Sequence, residues 1–235
     1  MFYQSIRIQI AIITKLINNT KFKIDKGDHL LDTHTHILWN IDDGSKNQCM
    51  SLQMLEIAAR SGTKAIFATP HVIERANKPS WEEIKEKTQQ LRQLCAEAQI
   101  DIMLYPGAEV QMNWELLPEL GATGAYCLNG GRYLLIELPA AEIPAYADEF
   151  WYELELKGIT PILAHPERYQ QLRENPDLLL LWRRRGMLMQ CNSGSFTGMF
   201  GSSVCENAKV LLANGLVDLL GSDGHRSEGR NTDMS

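Results

Sequence analysis

From Leu30 onward, apolar residues fall into short runs and helical stripes that alternate along the chain. "HLLDTHTH" is a brief apolar run with a polar end. In "SKNQCMSLQMLEIAARSG", Leu52, Leu55 and Ala59 line one helical face, Ser45 and Gln48 form a capping-box pair, and Gly62 stops the helix. "KAIFATPHV" reads as a strand and "SWEEIKEKTQQLRQLCAEA" as a helix with Ser80 and Glu83 as its capping box. "IDIMLYPGAEV" and "RYLLIEL" read as strands, residues 144–157 as a helix ending at Gly158, and "ITPILAHPER" as another strand. "NPDLLLLWRRRG" carries Asn175 at the cap, Pro176 in the first turn, arginines in the last turn and Gly186 beyond it. "MLMQCN" is a strand, residues 203–214 a helix, and "VDLLGSDGH" the final strand.

Strands separated by helices imply a parallel sheet. Seven such units fit an open doubly wound sheet or a barrel. The polar residues favour the barrel, because they gather at C-terminal strand ends: His34 and His36, His71, Glu109, Glu137, His165, then Asp223 and His225. In a parallel barrel those ends converge on one face, where sites are assembled from several strands. In an open sheet the outer strands lie too far apart to share one cluster.

A chain of 235 residues with 44% hydrophobic content suits one α/β domain of barrel size, here residues 29–235. Residues 1–28 differ in texture. "SIRIQIAIITKLI" is Ile-rich, with apolar runs too short to span a bilayer and no cleavage site after it. It reads as an N-terminal extension that packs on the domain or stays mobile. The net charge of -6, without a basic patch, argues against nucleic acid as a partner. Five scattered cysteines without a CxxC pair indicate reduced thiols in a cytoplasmic protein.

Residues i and i+2 of a strand point the same way, so His34 and His36 project together, as do Asp223 and His225. HxH alone is a weak signal, and "DDGS" alone is an ordinary turn. Eight ionisable residues at six strand ends are a different matter. Imidazole nitrogens with carboxylate oxygens suit Zn, Mn or Fe(II), and five histidines with at least four acids suffice for two or three ions sharing carboxylates.

"DTHTH…DDGSK…ATPH…GAE…LIEL…AHPERY…SDGH" resembles the PHP (polymerase and histidinol phosphatase) superfamily. Within it the motifs are most similar to the bacterial metal-dependent tyrosine-protein phosphatases of capsule and exopolysaccharide synthesis. The resemblance runs from about Leu30 to the C-terminus and implies a distorted seven-stranded (β/α) barrel. It implies one ion on His34, His36, Glu109 and Asp223, and a second on Glu109, Glu137 and His165. A third would lie on Asp43, His71 and His225, with Asp42 competing for the place of Asp43. It also implies manganese, with Fe, Zn or Co as other occupants, and Arg168 and Arg230 as clamps on the phosphate. Two departures stand out: Asn231 occupies a usual proline position, and the sequence ends at Ser235 where the family continues with a closing helix.

The implied chemistry is hydrolysis of phosphotyrosine on a protein, a bacterial tyrosine kinase and polysaccharide co-polymerase. Water held between two cations loses a proton near neutral pH and attacks, while cations and arginines neutralise the phosphate. No cysteine is followed six positions later by arginine, so the thiol-phosphatase route is excluded; "CLNGGR" misses by one residue. No strand-end lysine is placed to bridge metals as in an amidohydrolase. The alternatives are a phosphoesterase for a small ester such as histidinol phosphate, and a truncated, non-catalytic barrel that binds partners or lipid.

Overall fold

Among the described residues every strand is parallel to its neighbours, and the strands divide between two sheets. The computed structural model describes residues 30–120 and 124–235. Segment 1–28, read above as an extension, lies outside the described residues, as does His29. The smaller sheet holds β1 (Leu30–Thr35), β2 (Thr63–Ala68) and β4 (Met103–Pro106) in the order β1-β2-β4. The larger runs β3-β5-β6-β7-β8-β9, from β3 (His71–Val72) and β5 (Glu109–Gln111) through β6 (Tyr133–Glu137) and β7 (Thr160–Ala164) to β8 (Leu188–Asn192) and β9 (Leu219–Gly221).

Two segments expected as single strands are therefore each broken. "KAIFATPHV" becomes β2 and β3, and "IDIMLYPGAEV" becomes β4 and β5. Pro70 lies in the first break and Gly107 in the second, and proline cannot continue a ladder for want of an N–H. The first half of each segment stays in the small sheet and the second half joins the large one. At the other edge, His36 N donates to Gly224 O (2.9 Å) and Asp223 N to His34 O (2.8 Å). These bonds join the end of β1 to the chain beyond β9, and the sheets curl into a half-barrel.

The helices cover the outside: α1 (Gln48–Arg60), α2 (Trp81–Glu97), α3 (Ala147–Leu156), the short α4 (Gln170–Glu174), α5 (Asp177–Arg184), the short α6 (Ser193–Phe196) and α7 (Ser202–Ala213). Strand alternation gives each sheet two apolar faces. Ile66 and Ala68, Leu134 and Ile136, and Leu163 pack toward the helices with Met54, Leu91 and Phe150. Their neighbours Ala65 and Phe67, Tyr133 and Leu135, and Ile162 and Ala164 form a second, smaller core. Glu137 continues the Tyr133–Leu135 row of β6 to the site.

Helix starts follow capping chemistry, with one correction. Ser80 Oγ accepts from Glu83 N (3.1 Å), as expected for α2. For α1 the cap is Asn47, whose Oδ1 accepts from Met50 N (2.9 Å), not Ser45. Ser45 is committed elsewhere: its N donates to His36 O, its O accepts from Asn40 N, and its Oγ meets Ser51. For α5 the cap is Pro176, one residue after the expected Asn175. Among the described residues no helix is long and apolar enough to cross a membrane, and all five cysteines are free.

Candidate metal centre

The strand ends bring His34, His36, Glu109 and Asp223 to one point. His34 Nε2 lies 3.2 Å from His36 Nε2, 3.1 Å from Glu109 Oε2 and 3.5 Å from Asp223 Oδ1. His36 Nε2 lies 3.3 Å from Glu109 Oε2 and 3.5 Å from Asp223 Oδ1. All four side chains are buried. Ligands about 2.0–2.2 Å from one cation stand about 3.0–3.5 Å from their neighbours, which is the spacing found here.

The far sides of the two imidazoles determine what those inward nitrogens can be. His34 Nδ1 faces Gln190 Oε1 at 3.0 Å, and the Gln190 amide nitrogen donates to Cys191 O and Asn192 Oδ1, which fixes the amide's orientation. His36 Nδ1 faces Asp42 Oδ2 at 2.6 Å. Both Nδ1 atoms therefore carry the proton in the neutral ring, which leaves two Nε2 lone pairs facing each other and two carboxylates. Glu109 Oε2 and Asp223 Oδ1 have no hydrogen-bond partner although buried. Four electron donors aimed at one point are stable only around positive charge. The residues fit divalent cations.

The electrostatics agree. Burial opposes a charged His36, yet Asp42, Asp223 and Glu109 hold its imidazole well above its ordinary value. His34 is raised against the same burial by Glu109 and Asp223. Burial alone would raise Glu109, but His34, His165 and His36 hold it well below the usual carboxylate range. Burial and then Glu109 push Glu137 up.

Around this point three further groups can share ions. Glu109 Oε1 lies 2.8 Å from His165 Nε2, which groups His34, Glu109 and His165. His71 Nδ1 lies 3.1 Å from Glu109 Oε2 and 3.5 Å from Glu137 Oε1. Asp43 Oδ1 lies 3.6 Å from His71 Nε2 and 3.4 Å from His225 Nε2, with His36 in the same group. Glu109 turns one oxygen to His165 and the other toward His71, beside which Glu137 lies, and so links the two groups.

Asp42 has both carboxylate oxygens occupied by hydrogen bonds. Its Oδ2 accepts from His36 Nδ1 and His71 N (2.9 Å) and its Oδ1 from Gly44 N (2.9 Å), so it orients His36 from behind. Gly44 is required there, because a Cβ would collide with His36 O. Gly221 is the counterpart behind His34: a Cβ on it would lie 2.5 Å from His34 Cβ. His165 (φ 35°) and Asp223 (φ 52°) are held in the left-handed region that side-chain-bearing residues rarely adopt.

Arg168 Nη1 donates to Asp223 Oδ2 at 3.1 Å, and Arg230 Nη2 pairs with the same oxygen. Both arginines line a cavity of about 660 Å³ with His71, Glu109, Glu137 and His165. Sequence reasoning missed the supporting residues. Asn192 Nδ2 donates to Asp223 Oδ2 (2.7 Å), and Glu167 Oε1 accepts from Asn192 N (2.9 Å) and Ser195 Oγ (2.7 Å). Arg226 Nη1 fastens the "DDGS" loop at Asp43 O and Gly44 O. Gln190 and Asn192 alternate at a strand end as the histidines do, a signal present in "MLMQCN".

A family model described as capsular polysaccharide synthesis, CpsB/CapC, matches residues 30–235. The chain belongs to the CpsB/CapC family. Among its relatives, tyrosine-protein phosphatase YwqE of Bacillus subtilis (strain 168) is 35% identical over 202 residues, 86% of this chain and 80% of the relative. Tyrosine-protein phosphatase CpsB of Streptococcus pneumoniae is 29% identical, covering 86% of this chain and 85% of its own. A crystal structure from work on YwqE and CpsB, described as unique metal-dependent tyrosine phosphatases, matches with a TM-score of 0.83 at 34% identity, over 87% of this chain and 83% of that one. The histidinol phosphate phosphatase of Lactococcus lactis, solved with zinc, L-histidinol and phosphate, matches at 0.56 with 16% identity, over 84% of this chain and 87% of that one. At that identity the likeness is one of fold alone.

Proposed function

We propose that this family member is a metal-dependent protein-tyrosine phosphatase. The reading is carried by the inward Nε2 atoms of His34 and His36, each tied by its Nδ1 to a fixed acceptor and facing the unpartnered oxygens of Glu109 and Asp223. One ion is assigned to those four residues, a second to Glu109, Glu137 and His165 with His71 shared, and a third to Asp43, His71 and His225. Manganese is the expected metal. Divalent cations bound there would supply an acidified water and neutralise the phosphoryl oxygens.

The chain's own residues do the rest. Gln190 and Asp42 hold the two imidazoles in the tautomer that presents Nε2, so no reorganisation is needed on binding. Asn192, Arg168 and Arg230 fix Asp223 from its outer oxygen. The two guanidiniums line the cavity, where a fork matches two phosphate oxygens. Tyr169 Oη accepts from Leu138 N (2.9 Å) and donates to Leu138 O (3.3 Å), which pins the loop after β6 at the rim of the same cavity. A phosphorylated tyrosine carried on a protein segment enters from that open side.

The same reading takes residues 29–235 as one catalytic domain on a distorted (β/α)7 barrel, residues 1–28 as an extension, a cytoplasmic location, and a tyrosine kinase of capsular or exopolysaccharide synthesis as the substrate protein. The test is metal content followed by turnover. Protein purified with manganese is expected to hold at least two ions per chain and to hydrolyse a phosphotyrosine peptide faster than histidinol phosphate, with activity lost to a chelator. Fewer than two ions, or preference for histidinol phosphate, overturns the proposal. His34→Ala should abolish turnover with the fold retained.

A further inference from the structure

We infer that Phe200 is a positioning residue that seats the two cavity arginines side by side. This rests on the reading of Arg168 and Arg230 as the phosphate clamp. The Arg168 guanidinium carbon lies 4.8 Å from the centroid of the Phe200 ring and that of Arg230 lies 5.6 Å from it. Three separate segments meet here: Arg168 in the turn after β7, Phe200 in the loop between α6 and α7, and Arg230 beyond β9. The loop bearing Phe200 is tied to itself, Met199 N to Gly194 O (3.0 Å) and Gly201 N to Gly198 O (2.9 Å).

Two guanidiniums held this close repel each other. Among the described residues Asp223 is the one carboxylate both touch, through a single oxygen, and its other oxygen belongs to the inward cluster. One shared oxygen fixes neither the planes of the two forks nor their separation. Arg230 Nε is buried without a hydrogen-bond partner, so that side chain has little else to orient it. An aromatic face supplies what is missing: it is negative at its centre, attracts both cations and presents a flat surface to planar groups. The outer N–H groups then stand toward the cavity at a set spacing.

The test compares aliphatic and aromatic replacements, F200L and F200M against F200Y and F200W, in manganese-loaded protein. A cation–π contact of ordinary strength corresponds to about 3–30-fold in binding. The aliphatic variants should weaken inorganic phosphate binding, measured by calorimetry, and raise KM for a phosphotyrosine peptide by that factor, with kcat less affected and metal content unchanged. The aromatic variants should restore both. In an R168A/R230A background, F200L should cause no further loss. Phosphate affinity within twofold of wild type in both aliphatic variants overturns the inference. So does an equal loss in the arginine-free background, or a loss that tracks melting temperature and is not restored by Tyr or Trp. Phosphate calorimetry reads the effect of Phe200 even if the wild type fails to turn over phosphotyrosine, so the two failures are distinguishable.

Discussion

Asp42 and Asp43 are adjacent, yet Asp42→Asn and Asp43→Asn should fail differently. Asp42 uses both oxygens as acceptors: Oδ2 for His36 Nδ1 at 2.6 Å and His71 N at 2.9 Å, Oδ1 for Gly44 N at 2.9 Å. An asparagine has one acceptor oxygen. With that oxygen toward His36 and His71, its amide nitrogen confronts the Gly44 N–H; flipped, it confronts two donors. At least one charge-assisted bond is lost and a donor is left unpaired, at a cost of about 1.5–3 kcal/mol. For a domain of this size that is about 3–12 °C in melting temperature. Release of the His36 tautomer should further weaken metal binding about 10–100-fold, the usual effect of removing an outer-shell partner.

Asp43 presents a carboxylate that is 66% exposed and touches His71 and His225. Asp43→Asn should leave the melting temperature of chelator-treated protein near wild type and remove only the ion shared with those histidines. Competition titration with a calibrated chelator, combined with thermal melts, reads both variants. Wild-type manganese affinity in Asp42→Asn would refute the orienting role. Loss of a single ion in Asp42→Asn, with general weakening in Asp43→Asn, would invert the assignment.

Gly221→Ala places a Cβ 2.5 Å from that of His34; it should displace the ring and lower metal affinity at least tenfold, and an unchanged titration would show that the backbone yields instead. Phe150→Ala, at a fully buried position in the outer core, should cost about 3–5 kcal/mol in denaturant melts while metal stoichiometry stays at the wild-type value; loss of metal would show that core and site are coupled. His34, His36 and His71 are raised against the opposing effect of burial by neighbouring carboxylates, so their stabilisation is complete below the ordinary value of about 6.5 and lost as pH rises through the raised values. Chelator-treated protein should therefore melt lower from about pH 6.5 upward, while stabilisation by manganese grows over the same range as the imidazoles shed protons; a melting temperature rising with pH under chelator would refute this.

The alternation of strands and helices was legible because each strand is buried on both faces and each helix on one. What escaped were the breaks. Pro70 and Gly107 sit inside apolar runs, and periodicity reads through them, although each is individually a breaker. In the structure Thr69 N bonds Thr35 O (2.8 Å) and Gly107 N bonds Ala68 O (2.9 Å), so the ladder steps sideways there and the next residues start a new sheet. Pairing of that kind depends on a neighbour far along the chain. The Ser45 cap failed for a related reason: the capping pattern counts three residues forward and cannot see His36 O nine residues back.

The site was legible where strand geometry alone aims the side chain, and His34 and His36 converge as alternation requires. Asp223 and His225 also converge, but not for the reason of strand pleating. Both lie beyond β9, and the left-handed backbone at Asp223 turns its carboxylate inward; His165 is turned the same way just after β7. Asp and His enter the left-handed region more readily than most side chains, but no spacing rule says at which position they do so. Gln190 and Asn192 alternate at a strand end as the histidines do, but they do not ionise and so carry no charge signal in the sequence. Their amide dipoles decide which nitrogen of His34 faces inward and hold the outer oxygen of Asp223. The choice between Asp42 and Asp43 depends on a loop instead. Ser45 N bonds His36 O and Gly44 leaves room beneath His36. That closure turns Asp42 under the imidazole and leaves Asp43 at the rim beside His71 and His225, so one residue of register separates a carboxylate that orients His36 from one that faces the cavity.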